Sequence, residues 1–218
     1  MTILERVSGI QTKPRGCGAA WRTLPSVGAA YAQSMALDAS TAPPAFQEAL
    51  ASLARARTRR DIALTETPAP HRIAPFALAI NGETADGEAS GRFVLLHDPD
   101  GQAAWDGTFR VVTLVKAIVE PEIGTDDMWA DVAWSWLSDA LEGVPHHSAG
   151  GTVTKTVSRS FGVLAERPDE VVVEMRVSWT PEGSDMEPHV SAWTELIAFS
   201  AGIPPAPDGV AVLHGRRA

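Results

Sequence analysis

One pattern runs twice through the middle of this chain, about sixty residues apart, and it constrains the fold more than any composition does. Gly91 matches Gly151, Val111-Val112 matches Val171-Val172, and Pro121-Glu122 matches Pro181-Glu182. Ala133-Trp134-Ser135-Trp136-Leu137 then matches Ala192-Trp193-Thr194-Glu195-Leu196, one residue out of phase. Each copy reads as strand, strand, helix. Helices that return after each strand pair must cover a sheet face, which points to two layers, sheet and helices.

The periodicities place the elements. Pro43-Pro44 opens a first helix with Thr41 as its cap, and Phe46, Ala49, Leu50, Leu53 and Ala54 fall on one face. A proline-studded passage follows, with Pro68, Pro70 and Pro75 around His71 and Arg72, and it favours extended chain. Phe76 to Ile80 reads as a strand closed by Asn81-Gly82, Thr84 to Ser90 as a loop, and Arg92 to His97 as a second strand. Asp98-Pro99-Asp100-Gly101 carries the residues of a tight turn. Thr108 to Val119 is a long third strand, apolar on both faces and so central.

A helix capped by Thr125 or Asp126 runs to about Glu142, with Trp129, Val132, Ala133, Trp136, Leu137, Ala140 and Leu141 as its core stripe, and Gly143 and Pro145 stop it. Gly151 to Phe161 is a fourth strand with a hydroxyl side of Thr152, Thr154, Thr156, Ser158 and Ser160. Val171 to Thr180 is a fifth, turning Val171, Val173, Met175, Val177 and Trp179 to the core and Glu174, Arg176 and Ser178 away. A last helix begins near Pro188 and carries Val190, Trp193, Leu196, Ile197 and Ala201. The predicted fold is therefore α+β, an antiparallel sheet of about five strands packed by helices in the order α-β-β-β-α-β-β-α, with the strand-strand-helix repeat inside it. That order is shared by the secretion-chaperone fold. A ferredoxin-like arrangement is the alternative, reached if Val210 to Leu213 adds a terminal strand.

Residues 1–40 differ from the rest. They are rich in Gly, Ala, Ser and Thr and hold no sustained period, so a disordered or non-native arm is expected there and a single α+β domain over 41–218. Met35 opens a stretch that reads like an ordinary start. The formal charge of −9 argues against general nucleic-acid binding and against attraction to anionic lipid. The single Cys17 excludes a disulfide framework and a cysteine metal cage. No apolar run approaches the ~20 residues of a membrane span and no signal peptide is visible, so a cytoplasmic protein is expected.

The chemistry-bearing residues form no assembled centre. His146-His147, with His189 from afar, are metal-ligand types, but adjacent side chains point apart and no carboxylate stands at a matching spacing, so they read as loop histidines. Asp126-Asp127 with Glu120 and Glu122 suit a helix N-terminus through its positive end. Arg55, Arg57, Arg59 and Arg60 complement the opposite end of the first helix, with an RNA contact as the alternative. Ser158-Arg159-Ser160 is no nucleophile elbow, and there is no glycine-rich phosphate loop, so no catalytic residue, metal or cofactor is assigned.

The surfaces that remain are tryptophans and a sheet face. Six of the seven tryptophans lie in or beside the repeats. Trp134 falls at the edge of its helix's apolar stripe, and with Trp136 it suits an interface. Trp105 enters the long strand through Trp105-Asp106-Gly107, where it reads as a cap on the sheet edge or a binding residue. Glu174 and Arg176 share the open sheet face with the hydroxyl side of the fourth strand, a dimer surface or ligand platform.

Several segments, taken as a set, are similar to an uncharacterised actinobacterial family, domain of unknown function three-thousand. They are His97-Asp98-Pro99, Ala104-Trp105-Asp106-Gly107-Thr108-Phe109-Arg110, Trp134-Ser135-Trp136-Leu137, Gly151-Thr152-Val153-Thr154, Ser160-Phe161-Gly162, Ser178-Trp179-Thr180-Pro181, Ala192-Trp193-Thr194-Glu195-Leu196 and Gly202-Ile203-Pro204-Pro205. The resemblance spans Pro44 to Arg217 and implies no established activity. Genes for a tetrapyrrole-pathway decarboxylase and a D-type ribonuclease lie near members of the family. The functional expectation is a non-enzymatic, chaperone- or adaptor-like protein that binds a protein partner and pairs as a homodimer. The alternatives are a small-molecule binder or enzyme linked to tetrapyrrole metabolism, or an RNA-associated factor.

Overall fold

In a computed structural model of the chain, residues 42–70, 72–121 and 128–204 are described. The arm over 1–40, the cap Thr41, His71, the acidic residues Glu122, Asp126 and Asp127, and the segment Val210 to Leu213 lie outside them. The elements are α1 (Pro44–Arg55), β1 (Ile62–Thr67), β2 (Phe76–Thr84), β3 (Ala89–Gln102), β4 (Gly107–Val119), α2 (Trp129–Ala140), β5 (His146–Ser158), β6 (Glu170–Pro181) and α3 (Glu187–Ser200). A short 3-10 turn at Gly162–Leu164 joins β5 to β6. The six strands form one sheet in the order β1-β2-β3-β4-β6-β5, and every neighbouring pair is antiparallel.

The α+β class and the antiparallel sheet stand, with six strands in place of five. Ile62–Thr67 forms the added edge strand, pairing Leu64 with Gly82 and Thr67 with Ala79. Asn81-Gly82 does not close a strand. It lies within β2, and the reversal comes later, where Thr84 Oγ1 accepts from Ala89 N and donates to Asp86 Oδ1 at 2.7 Å. Asp98 to Gly101 is likewise not the turn. β3 runs on to Gln102 with an irregular register after His97, and the chain reverses over Ala103 to Asp106. β5 begins five residues earlier than its period suggested, at His146, and ends at Ser158, so Phe161 stands beyond the strand.

The duplication has a geometric meaning. β4 and β6 are the equivalent strands of the two copies, and they pair with each other in the middle of the β3-β4-β6-β5 part of the sheet, Val111 with Trp179 and Val119 with Val171. Val115 and Met175, equivalent residues of the two copies, are directly opposite. A pseudo-twofold axis therefore passes through that pair, with β3 and β5 outside it. The equivalence slips at the outer strands: Gly91 faces Val115, whereas Val153 and not Gly151 faces Met175. A register irregularity between His147 and Gly150 accompanies the slip.

The three helices among the described residues cover one sheet face. Phe46, Leu50 and Leu53 of α1, Trp129, Ala133 and Leu137 of α2, and Val190, Trp193, Leu196 and Ile197 of α3 join Phe93, Leu95, Val111, Val115, Met175, Val177 and Trp179 in the main core. Two stripe residues depart from the helical reading: Ala54 and Val132 are exposed. Ser52 is buried in Ala54's stead, because its hydroxyl bonds the Ala49 carbonyl and accepts from Met186 N at 2.8 Å, tying α1 to the start of α3. Left-handed Gly143 and Gly202 end α2 and α3. A smaller cluster of Ala79, Val94, Leu96, Trp105 and Val112 lies on the other sheet face, closed by Ala69, Ile73 and Ala74 of the β1–β2 connection.

Candidate functional site

β5 is the end strand of the sheet next to β6, so its outer row of backbone groups pairs with no strand among the described residues. Its side chains are exposed on both faces from Gly151 to Ser158, apart from half-buried Val153. The connection that follows carries Phe161, 75% exposed, Val163, 100% exposed, and Leu164, 43% exposed. Three apolar side chains on one surface turn cost solvation unless something covers them. α2 packs over the same strand and adds Met128, 67% exposed, and Val132, 40% exposed. Arg159 pairs with Asp169 at 3.0 Å across the base of the hairpin and holds the two strands together there.

Trp134 and Trp136 stand on α2, both half-buried against the main core, and Trp136 meets Trp129 edge-on at 5.6 Å between centroids. Glu174 and Arg176 lie on β6 on the open face, where Arg176 Nε donates to Glu174 Oε1 at 2.6 Å. Thr152 and Thr154 of β5 are their cross-strand neighbours. Trp105 is placed apart from these four. It has no exposed surface and packs on the face of the sheet rather than capping its edge, with its carbonyl accepting from the Thr180 hydroxyl. The α2–β5 side thus gathers Trp134 and Trp136, and the open face gathers Glu174 and Arg176.

The histidines take separate roles. His147 lies in β5, next to its first residue His146, rather than in a loop. Its Nε2–H donates to the Asp106 carbonyl at 2.9 Å, and its Nδ1 stands 3.9 Å from Glu182. His146 bonds the Val144 carbonyl. His189 is buried beneath β6, where Trp179 Nε1–H donates to its Nδ1 at 3.0 Å, and burial followed by repulsion from His146 pushes its pKa down to about 4. His97 was missed by sequence reasoning. It stacks between Phe46 and Phe109 and donates from Nδ1 to the Thr108 carbonyl, and its burial lowers its pKa. Among the described residues no group of three or more His, Cys, Asp or Glu is placed to hold a metal ion.

Of the basic run after α1, Arg59 is structural. Its guanidinium is bound by Asp61 at 2.6 Å, Glu195 at 2.9 Å and the Pro204 carbonyl at 3.0 Å, and the Asp61 bond leads in raising its pKa. The exposed Phe161-Gly162-Val163-Leu164 turn was also missed: Phe161 reads as the end of the fourth strand, and no local period marks Val163 and Leu164 as exposed. No helix among the described residues is long and apolar enough to cross a membrane. Comparison with curated proteins finds no match, and comparison with solved structures finds none. A family model does match, over residues 42–211, and by it this chain belongs to DUF3000, a family of proteins of unknown function.

Proposed function

We propose that this is a non-enzymatic protein-binding protein, adaptor- or chaperone-like, that holds an extended segment of a partner polypeptide along β5. The observation that carries the reading is the outer edge of a 13-residue strand, which pairs with no strand among the described residues and runs into an exposed apolar turn. An unpaired strand edge is a template for another strand: main-chain hydrogen bonds supply affinity and alternate side-chain sites supply selectivity. Lys155 is the only Lys, Arg, Asp or Glu in β5, so little charge guards the edge against pairing. The apolar turn and the exposed Met128 and Val132 of α2 would then bury their surface against the partner's side chains. The element order is that of the secretion-chaperone fold with β1 added at the far edge, and this likeness is part of the proposal.

The test is site-specific photocrosslinking in the cells that make the protein. A photoreactive side chain is placed at Val157, at Val163 and, as a control, at Thr65 on the opposite edge strand β1. The expected outcome is a covalent adduct to one polypeptide, client or second copy, at Val157 and Val163 and none at Thr65. Phe161→Asp with Val163→Asp should remove it, and Trp134→Ala should weaken it if the α2 surface takes part. A chain that gives no adduct at either position, and is monomeric by native mass spectrometry, would overturn the reading.

A further inference from the structure

The face of the sheet away from the helices carries a local cationic cluster in an otherwise acidic chain. On it the register sets Arg92 of β3 opposite Leu114 of β4, and Leu114 opposite Arg176 of β6. One step along, Lys116 stands opposite Glu174. Three cations thus surround Leu114, with one carboxylate among them. Diagonal neighbours across antiparallel strands are about 7–8 Å apart, within reach of long side chains.

The one carboxylate does not serve the cation it faces. Glu174 accepts from Arg176, and half-buried Lys116 has no ion-pair or hydrogen-bond partner among the described residues. Arg92 donates to the neutral Pro68 carbonyl at 2.8 Å, and its Nε–H is buried with no acceptor. Desolvation with no anion beside it lowers the pKa of Arg92. Partly buried charges are ordinarily paired, and here two cations on adjacent strands are not.

The surroundings suit a small ligand. Leu114 is 4% exposed yet belongs to neither apolar cluster, and half-buried Ile118 and Val172, paired in register, continue its apolar floor on the same face. The hydroxyls of Ser90, Thr152 and Thr154 stand opposite Lys116, Arg176 and Glu174. Trp105 and the β1–β2 connection close the neighbouring part of the face, which leaves an open strip about 10–15 Å across at ordinary strand spacing.

We propose that this strip binds a small ligand carrying a carboxylate or phosphate on an apolar body. Lys116 and Arg176 hold the oxyanion, Arg92 adds its field from β3, and the apolar body rests on half-buried Ile118 and Val172, beside the buried Leu114. The site lies on the opposite face from the helices and does not depend on partner binding at β5. It also gives Lys116 the counter-charge that Glu174 withholds.

The experiment is a titration of the isotope-labelled full chain with octanoate and with inorganic pyrophosphate, using octanol as the uncharged control. The amide resonances of Lys116, Glu174, Arg176 and Thr154 are followed. The expected result is a saturable shift with at least one anion and none with octanol. Octanoate alone would identify a carboxylate on an apolar body, and pyrophosphate alone a phosphate. Lys116→Gln should weaken that binding roughly tenfold, the loss of one charge-assisted hydrogen bond, with its spectrum and unfolding midpoint intact, and Lys116→Arg should restore it. The proposal is overturned if neither anion saturates at millimolar concentration. It is equally overturned if octanol gives the same shifts, or if Lys116→Gln leaves the anion's binding unchanged, which would mark an adventitious ion only.

Discussion

Gly91 faces Gly82 across β2 and β3, directly beneath α3, and replacing it with alanine tests how that helix is seated. A Cβ at position 91 would stand 2.8 Å from Ile197 Cδ1, 2.9 Å from the Leu114 carbonyl oxygen and 2.9 Å from Trp193 Nε1. Ordinary contact between heavy atoms is about 3.5–4.0 Å, so the shortfall is roughly 1 Å on three sides. Ile197 and Trp193 are buried and cannot swing into solvent, and the Leu114 carbonyl belongs to the central strand. Overpacking of this kind costs about 1–3 kcal/mol, and a backbone obstacle places the cost in the upper half of that range. Alanine recovers about 0.5–1 kcal/mol by restricting the unfolded chain, leaving a net loss of about 1–2.5 kcal/mol. With an m-value of about 2 kcal/mol/M, the urea midpoint of Gly91→Ala should fall by roughly 0.5–1.2 M. Ile197→Val removes the closest obstructing atom and alone costs about 0.5–1.5 kcal/mol. The double variant should be more stable than the sum of the two losses by about 0.5–1 kcal/mol. A Gly91→Ala protein with an unchanged or higher midpoint, or a strictly additive double variant, would refute the seating of α3 on the paired glycines.

Two further outcomes follow from particular contacts. At Gly151 an added Cβ would strike the Arg176 carbonyl and the Val177 Cα of the neighbouring strand, both backbone, so Gly151→Ala should loosen β5 locally. Amide exchange over Thr152 to Ser158 should quicken by roughly 100-fold, about 3 kcal/mol, with β2 and β3 unaffected, and unchanged exchange would contradict the β5–β6 register. His189 titrates near 4 in the folded chain and near 6.5 when unfolded, so between those values the unfolded state holds the extra proton. Stability should therefore fall as pH drops from about 6.5 toward 4, by at most roughly 3 kcal/mol. Asp61, held low by its bond to Arg59, and Asp86, held low by its bond to Thr84, add losses in a more acidic window. The urea midpoint of His189→Gln should vary less with pH between about 7 and 4.5 than that of the native chain, and equal slopes would count against the buried neutral imidazole.

The parts of the candidate site were legible to different degrees. Alternation along Val171 to Thr180 placed Glu174 and Arg176 on the face away from the core, and they lie there as an ion pair. The same alternation left Lys116 unremarked, because β4 is apolar on both faces and one lysine near its end carries no periodic signal. Helical spacing placed Trp134 at the margin of the α2 stripe, and it is half-buried. That spacing also assigned Val132 to the core, and there it failed, since α2 packs near the sheet's edge and covers only a narrow stripe. Trp105 illustrates the opposite limit. Its turn was readable from Asp106-Gly107, but its complete burial depends on the β1–β2 connection folding over it.

The sequence by itself determined the layers: the apolar periods of strands and helices, and the duplication that sets two strand-strand-helix units side by side. Those follow from local geometry, because a period of two or of 3.6 dictates which side chains share a face before any long-range contact forms. Only the tertiary structure decided that the equivalent strands β4 and β6 pair with each other and leave β5 at the edge. It alone added β1 to the opposite edge and gathered three cations with one carboxylate around Leu114 on the open face. Strand order and register depend on pairings between residues far apart in the chain, and no local period encodes which distant partner a strand will choose.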